Sequence, residues 1–582
     1  MQILKNHKWA IFLALLASVI IVYPQIYLRY DLSDVYQGVE IIGASEDEMA
    51  WLSRVREAYD GHSSISNAYF KEGKDDPYLV QPLGSNIVAY FGKIFSLSIN
   101  NTVLLSRIVM TFFVFLLIYG FVFLLSKEKM VALSTSSFLV LANALFSRPA
   151  LFEILKGQSP SLSYINYTRP VNPLMTSFFF FGFLFCFWLF LDASTRLSAR
   201  RQWFYGLASA LMLGLSFYDY FYTWTFLYSF LGVLVLIFLF QKKWQDIKRI
   251  CLVVFSATLI AVPYLLNLYR ATTYPNYVEV GQRLGLIDGR TIVLGFAVPL
   301  LFVIFLLLFP RQWRERYWFS LALVIAPFVV LNQQLITGRA LSTAHYHWYF
   351  NLPVAIVVLL IIFFHWISKI KQLDFKKISA VLIIAVSIFT GIFIQQSSCA
   401  ANKEMIINYQ RYGQVLEWLS QNGQKDEVVF SNPETASLIV IYTPLNVFFH
   451  YSARVSLGAT QERLRNILFT YYRLNGLSFD EAGEVFLREN RAAISKWFFG
   501  HYYRDATGSA ESIPDEFLID LAQKYKESFA VSNSDFLKAM LKIYGVKYLI
   551  WDKKADPLWK LDQYPFLEKV IEFDDFIIYQ RD

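Results

Sequence analysis

The chain has 582 residues, 56% of them hydrophobic and only 17% charged, with a formal net charge of +8. Soluble domains carry about a quarter charged residues, so this composition excludes an ordinary soluble enzyme and places most of the chain in lipid. The surplus of Lys and Arg calls for no nucleic-acid partner because it sits in short connections between apolar runs, and three cysteines define neither a disulfide framework nor a metal-binding spacing.

A membrane crossing needs about 20 apolar residues to span roughly 30 Å of hydrocarbon. Eleven runs meet that need, near 9–25, 102–125, 130–147, 174–193, 203–219, 221–240, 250–268, 291–309, 318–336, 350–367 and 378–396. The first, ending ASVIIVYPQ, carries no small-x-small cleavage site and is expected to stay as an anchor. Alternate connections are basic. They hold Lys5 and Lys8, then Lys127 and Lys129, Arg196 with Arg200 and Arg201, Lys242 to Arg249, Arg311 to Arg316, and Lys369 to Lys377. Short cytoplasmic loops retain positive charge, so all six are expected inside, with the long loop 26–101 and the region beyond the last span outside.

That first loop is too long for a plain connection. Its stretch GASEDEMAWLSRVREAYDGH opens with three carboxylates, Glu46, Asp47 and Glu48. Ser45 followed by Glu48 has capping-box spacing, in which each side chain satisfies an unpaired N–H of the first turn. Helical periodicity then puts Glu48, Leu52, Val55 and Tyr59 on one face and Asp47, Trp51, Arg54 and Ala58 on another. The segment YLVQPLGSNIVAYFGKIFSLS reads as a second amphipathic helix, lying on the membrane surface.

Residues 397–582 follow the membrane part, 1–396, and are enough for a core of their own. DEVVFS, SLIVIYT, VKYLIWD and FIIYQR read as strands, and TQERLRNILFTYYR, FDEAGEVFLREN and DFLKAMLKIYG as helices, giving an α/β domain. It contains no phosphate-binding loop and no nucleophile elbow.

The polar residues of the membrane part gather on the expected outer side. Arg148 and Arg169 lie in the loop after the third run, Asp219 in FYDYFYTW between the fifth and sixth, and Arg339, His345 and His347 between the ninth and tenth. Carboxylates, guanidinium groups, histidines and aromatic rings on one face suit a sugar phosphate. Each also has a plainer reading. Acidic residues favour a helix's first turn, an interfacial Arg reaches for headgroups, aromatic rings form a belt at the membrane boundary, and Asp219 can bond the tyrosines beside it. A carboxylate triplet repels itself unless a cation or a hydroxyl-bearing ligand meets it, which leaves a divalent cation open.

A cytoplasmic N-terminus, one span and a long outer loop whose acidic pair Asp47 and Glu48 opens an amphipathic helix, together with the surface helix 79–97 and an outer C-terminal domain, resemble the GT-C superfamily of integral-membrane glycosyltransferases. Its members include protein O-mannosyltransferases, the lipid A aminoarabinose transferase and oligosaccharyltransferase catalytic subunits. A WWD-type motif of the last group is not present here. The resemblance covers the whole chain in architecture. It implies a polytopic helical membrane protein with an extracytoplasmic α/β domain, in the plasma membrane of a prokaryote, moving a sugar from a polyprenyl phosphate to a lipid, glycan or protein. Asp47 and Glu48 would be the catalytic pair. Arg169, Arg339, His345, Asp219, Arg148 and Trp51 would bind substrate. A transporter or lipid flippase, and a non-catalytic scaffold, are the alternatives from other classes. A transporter is expected to carry charges at mid-membrane and an internal repeat, whereas the spans here are nearly free of charge at their centres and no repeat is found.

Overall fold

The computed structural model describes residues 5–42, 46–157, 164–191, 198–370, 374–500 and 513–581. Each of the eleven apolar runs contains a helix, and eight described helices are long and apolar enough to cross a membrane. The elements that place the site are α1 (Lys8–Leu32), α2 (Glu46–Tyr59), α3 (Leu83–Phe95), α4 (Ile99–Ser126), α5 (Lys129–Leu141), α6 (Leu174–Leu191), α7 (Ala199–Asp219), α8 (Phe221–Phe240), α9 (Trp244–Thr272), α10 (Ala297–Leu308), α11 (Glu315–Leu331), α12 (Leu352–Ile367) and α13 (Phe375–Gln410). Of these, α5 and α10 are apolar but short, with 13 and 12 residues. Helix α13 continues without a break well past residue 397.

Helix α4 is the hub, packed on α1, α5 and α6, while α6 packs on α7, α7 on α9 and α8 on α11. Lipid supplies no hydrophobic drive between helices, so close approach depends on small residues. At Gly214 of α7 an added Cβ would lie 2.7 Å from Ile260 of α9.

The basic connections meet at one end of the bundle. His7 bonds the Tyr119 hydroxyl at 2.6 Å near the end of α4, Arg316 donates to the Leu125 carbonyl at 3.2 Å, and Lys376 pairs with Glu128. Arg249 donates to the Leu191 carbonyl, Lys243 to Glu315 and Trp366 to the Leu308 carbonyl. These contacts tie together every basic connection expected on one side.

At the other end the first loop and the C-terminal region interlock. Helix α14 (Pro433–Tyr442) packs on α2. The Tyr442 hydroxyl accepts the Glu40 N–H at 2.8 Å, Arg463 donates to Glu72 at 2.7 Å, and the Val447 N–H donates to the Tyr69 carbonyl at 2.8 Å. One hydrophobic core runs through both parts. Of the predicted strands, three form: β1 (Val428–Phe430), β3 (Val546–Asp552) and β5 (Phe576–Arg581). They join β2 (Asn446–Val447) and β4 (Leu567–Phe573) in the order β2-β1-β3-β5-β4, parallel from β2 to β3 and antiparallel beyond.

The predicted strand SLIVIYT is instead the body of α14. Asn432 caps it by accepting the Thr435 N–H at 2.8 Å, Pro433 takes the first position and Glu434 the first turn. Leu438 to Ile441 are all buried, so no polar stripe marks the helical period. Strand β4 escaped notice for the opposite reason. It is an edge strand with Lys569 and Glu572 paired on its surface at 2.5 Å, and charge hides the alternation.

The surface helix α3 forms over Leu83–Phe95, with Tyr90, Ile94 and Phe95 exposed as lipid contact requires. Its Gly92 touches Thr102 of α4 and Tyr59 of α2, and an added Cβ would lie 2.8 Å from the Thr102 methyl and 2.9 Å from the Tyr59 ring. Gly92→Ala should therefore push α3 away and cost about 1–3 kcal/mol. An unchanged melting temperature in detergent would show that α3 is not held there.

Candidate active site

Helix α2 stands at the end of the bundle opposite the basic connections, and its first turn splits the acidic stretch. Successive residues differ by about 100° around a helix, so Asp47 and Glu48 face different neighbours. The face that carries Glu48, Leu52 and Val55 is buried. Ser45 lies outside the described residues, as does the Glu46 side chain. Glu48 is therefore not assigned as a cap. Its carboxylate accepts from Arg107 Nη2 of α4 at 3.0 Å, in an ion pair buried on both sides.

That pair begins a chain of polar contacts. Arg107 Nη1 donates to Gln25 Oε1 of α1 at 2.9 Å, and Gln25 Nε2 donates to Glu40 Oε2 at 2.5 Å. Arg29 Nε donates to Glu40 Oε1 at 2.5 Å, and the Tyr36 hydroxyl also bonds Glu40. Burial, with the Glu40 carboxylate beside it, pushes the Tyr36 phenol well above its usual range, so it remains a donor. A buried carboxylate or guanidinium persists only when paired and hydrogen-bonded. The chain thus fixes the height and rotation of α2 against α1 and α4.

Asp47 points the other way. Its side chain is 68% exposed and lies 3.5 Å from Arg169, itself 35% exposed. Arg169 follows the short turn Asn166–Thr168 in extended conformation, as the residue before a proline must. Its Nη1 also reaches the Tyr349 hydroxyl at 3.4 Å. Tyr349 sits in a π-helical turn, His347–Asn351, at the start of α12, a widening that turns its ring toward Tyr220 and His345 at centroid distances of 5.8 and 6.0 Å. The Tyr220 hydroxyl bonds His345 Nδ1, and Tyr222 stacks on the same imidazole at 4.7 Å.

Asp219, the last residue of α7, completes the group. It is 1% exposed, and neither carboxylate oxygen has a hydrogen-bond partner among the described residues. Gly84 of α3 covers it so closely that an added Cβ would lie 3.0 Å from Oδ1. Both Asp47 and Asp219 are within electrostatic reach of Tyr220. Asn351, in the π turn, likewise has both amide atoms buried without a partner among the described residues.

Asp47, Arg169, His345 and Asp219 are thus gathered around Tyr220 and Tyr349. Other expected site residues go elsewhere. Arg339 pairs with Asp288 at 3.8 Å across the short ladder Ile287–Asp288 and Arg339–Ala340, half exposed. Trp51 lies half-buried under the Arg54 guanidinium at 5.8 Å. Arg54 donates to the Val80 and Gln81 carbonyls at 2.9 and 3.1 Å, and burial lowers its pKa to about 10, which leaves it charged at neutral pH. The side chain of Arg148 lies outside the described residues. No cluster of three or more His, Cys, Asp or Glu side chains suited to a metal ion occurs among the described residues.

Tyr220, Tyr349, Gln25 and Asn351 were not singled out from the sequence as site residues, and Arg107 only as a second choice for holding the donor phosphate. Only Arg107 carried a signal, as an ionisable group inside an apolar run. The others are ordinary belt or span residues until the fold brings them together.

Fold and site together define an integral membrane protein with a cluster of acids, a guanidinium, an imidazole and phenols at one end of its helix bundle. Solved structures similar to this chain include the Archaeoglobus fulgidus oligosaccharyltransferase in the apo form, 12% identical with a TM-score of 0.45, covering 94% of this chain and 70% of that one. Another is ArnT from Cupriavidus metallidurans bound to undecaprenyl phosphate, 11% identical with a TM-score of 0.46, covering 96% and 97%. No family model matches the chain, and no curated protein matches it in sequence. Likenesses this distant do not carry residue roles across, so the chemistry has to come from the side chains themselves.

Proposed function

We propose that this protein is a glycosyltransferase that moves a sugar from a polyprenyl-phosphate donor to a hydroxyl- or amide-bearing lipid, glycan or protein acceptor at the outer face of the membrane. The observation that carries this reading is the accessible Asp47–Arg169 pair, set where the membrane helices end and near a buried Asp219 whose oxygens have no hydrogen-bond partner among the described residues. A lipid-linked donor keeps its tail among the helices and presents its phosphate at that level.

An exposed ion pair is worth only about 0–1 kcal/mol, so an incoming phosphate can take Arg169 from Asp47. The guanidinium fork then holds two phosphate oxygens, and the carboxylate is released to act as a base. In the transfer step an acceptor X–H loses its proton to Asp47 while X forms a bond to the anomeric carbon. The bond from that carbon to the phosphate oxygen breaks, and the electron pair leaves with the phosphate. Arg169 stabilises the departing charge, and His345, oriented by Tyr220, donates a hydrogen bond to it. Asp219 is placed to accept hydrogen bonds from sugar hydroxyls, which would give its oxygens partners that the described residues do not supply.

Purified protein given radiolabelled polyprenyl-phosphate sugars and a membrane extract should move label from one donor class into a lipid, glycan or protein fraction. Failure of every donor to transfer would overturn the proposal. Two further outcomes are expected. A reporter fused after Lys377 should be cytoplasmic and one fused after Asp582 outside, since the basic connections share one end of the bundle; a cytoplasmic C-terminus would put the site on the wrong face. Arg169→Lys keeps the charge and loses the fork, so donor affinity should fall about ten- to a hundredfold with folding intact. Normal turnover at limiting donor would move the phosphate to Arg339 or Arg148.

A further inference from the structure

The connection between α9 and α10 and the connection between α11 and α12 are bonded to each other along their length. Ile287 and Asp288 pair with Ala340 and Arg339, and the Gly289 N–H donates to the Gly338 carbonyl at 3.0 Å. Gln334 donates to the Thr291 carbonyl at 2.8 Å. The Asn332 side chain accepts the Val293 N–H and donates to the Val293 carbonyl, both at 2.9 Å. Separating two backbones joined in this way would strip partners from several main-chain groups at once, so the two loops form one unit.

One side of that unit is fastened to the C-terminal region. Arg283 ends the short helix Tyr277–Arg283 and is 1% exposed. Its guanidinium donates to the Phe498 and Ala459 carbonyls, each at 2.8 Å, and to the Arg454 carbonyl at 3.2 Å. Its donors spread over a fixed plane, which lets one side chain gather acceptors from separate segments. Asn276 adds a bond to the Leu457 carbonyl at 2.7 Å. Gly500 lies so close that an added Cβ would be 2.4 Å from the Arg283 carbonyl oxygen.

The other side of the unit runs straight into the candidate active site. Ala340 is followed within a few residues by the short helix Thr343–Tyr346, which carries His345, and then by the π turn that carries Tyr349. There the chain meets the start of α8. Tyr220 bonds His345, Tyr222 stacks on it, and Thr225 bonds the Tyr346 hydroxyl at 2.8 Å. The segment is therefore held between α8 and the two-loop unit.

We propose that Arg283 is a positioning residue, which fastens the two-loop unit to the C-terminal region and so holds His345 and Tyr349 in register with Tyr220 and Arg169. The C-terminal region thereby sets the geometry of a site formed at the ends of the membrane helices. The coupling is a property of the fold, and its effect on turnover rests on the sugar-transfer reading.

Hydrogen–deuterium exchange of the full-length protein in detergent, read by mass spectrometry, tests the coupling without turnover. Arg283→Met keeps the stem and removes the donors, so amide exchange across 339–351 should rise about tenfold or more while β3 stays protected. Asn332→Ala cuts the bonds between the loops and should loosen the same segment, and the double variant should add little to either change. Arg473→Met removes another buried guanidinium, which donates to the Ser528 and Val531 carbonyls inside the C-terminal region, and should leave 339–351 unchanged. In Arg283→Met, kcat should fall about tenfold with the donor KM nearly kept, because His345 acts on the departing phosphate while Arg169 holds it. Unchanged exchange at 339–351 in a folded Arg283→Met protein, or an equal rise in Arg473→Met, would overturn the proposal. Should Arg283→Met not fold, Asn332→Ala decides alone, and unchanged exchange there overturns it too. A loosened 339–351 in a protein that transfers no sugar would remove the transferase reading and leave the coupling, whereas normal exchange in an active enzyme would do the opposite.

Discussion

Asp47→Asn should lower turnover by about two to four orders of magnitude, the usual worth of a general base, with little change in stability. The side chain is mostly exposed and its ion pair to Arg169 is long at 3.5 Å, so the fold does not depend on its charge. Asn keeps the shape and loses the oxygen that would receive the acceptor proton. Donor binding should persist or strengthen, because Arg169 no longer has a carboxylate competing for it. Turnover measured with donor-binding affinity and melting temperature separates these effects. Full activity in Asp47→Asn with normal donor binding would remove Asp47 from the chemistry.

Glu48→Ala should do the reverse, costing about 3–5 kcal/mol of stability, because it leaves the buried Arg107 guanidinium without its carboxylate. As a helix cap Glu48 would contribute only about 1 kcal/mol, so the size of the loss discriminates the two roles. Glu48→Gln keeps a hydrogen-bond acceptor for Arg107 but not the charge and should fall between. Replacing both partners, Glu48→Leu with Arg107→Met, should recover much of the loss, since apolar pairs of similar volume often replace buried ion pairs at little cost. Activity in the double variant would still suffer if the chain from Glu48 to Glu40 holds α2, and with it Asp47, in position. Thermal melts of the four proteins decide this, and a Glu48→Ala variant that melts like the parent would return Glu48 to the capping role.

The membrane architecture could be read directly from the chain because its physics is local. A crossing helix needs only length and apolarity, and both are properties of a continuous stretch such as 99–126 or 375–396. The basic connections were equally legible, since charge is excluded from lipid wherever it occurs, and contacts such as Lys376 with Glu128 bring them to one end as expected. The amphipathic face Glu48, Leu52, Val55 declared itself by its period.

Where local signals conflict or vanish, folding had the last word. SLIVIYT has the β-branched, apolar look of a strand, but burial on every side and a strong Asn-Pro start make it a helix. The ion pair of Glu48 with a guanidinium 59 residues further on had no local signal, because no local pattern encodes a partner on another helix. The same holds for the site as a whole. Asp47, Arg169, Asp219 and His345 belong to four separate segments, and what joins them is Tyr220 and Tyr349, rings indistinguishable by sequence from an interfacial belt. A π turn in α12 and the close approach of Gly84 to Asp219 set the distances, and both arise from packing between elements rather than from any one of them.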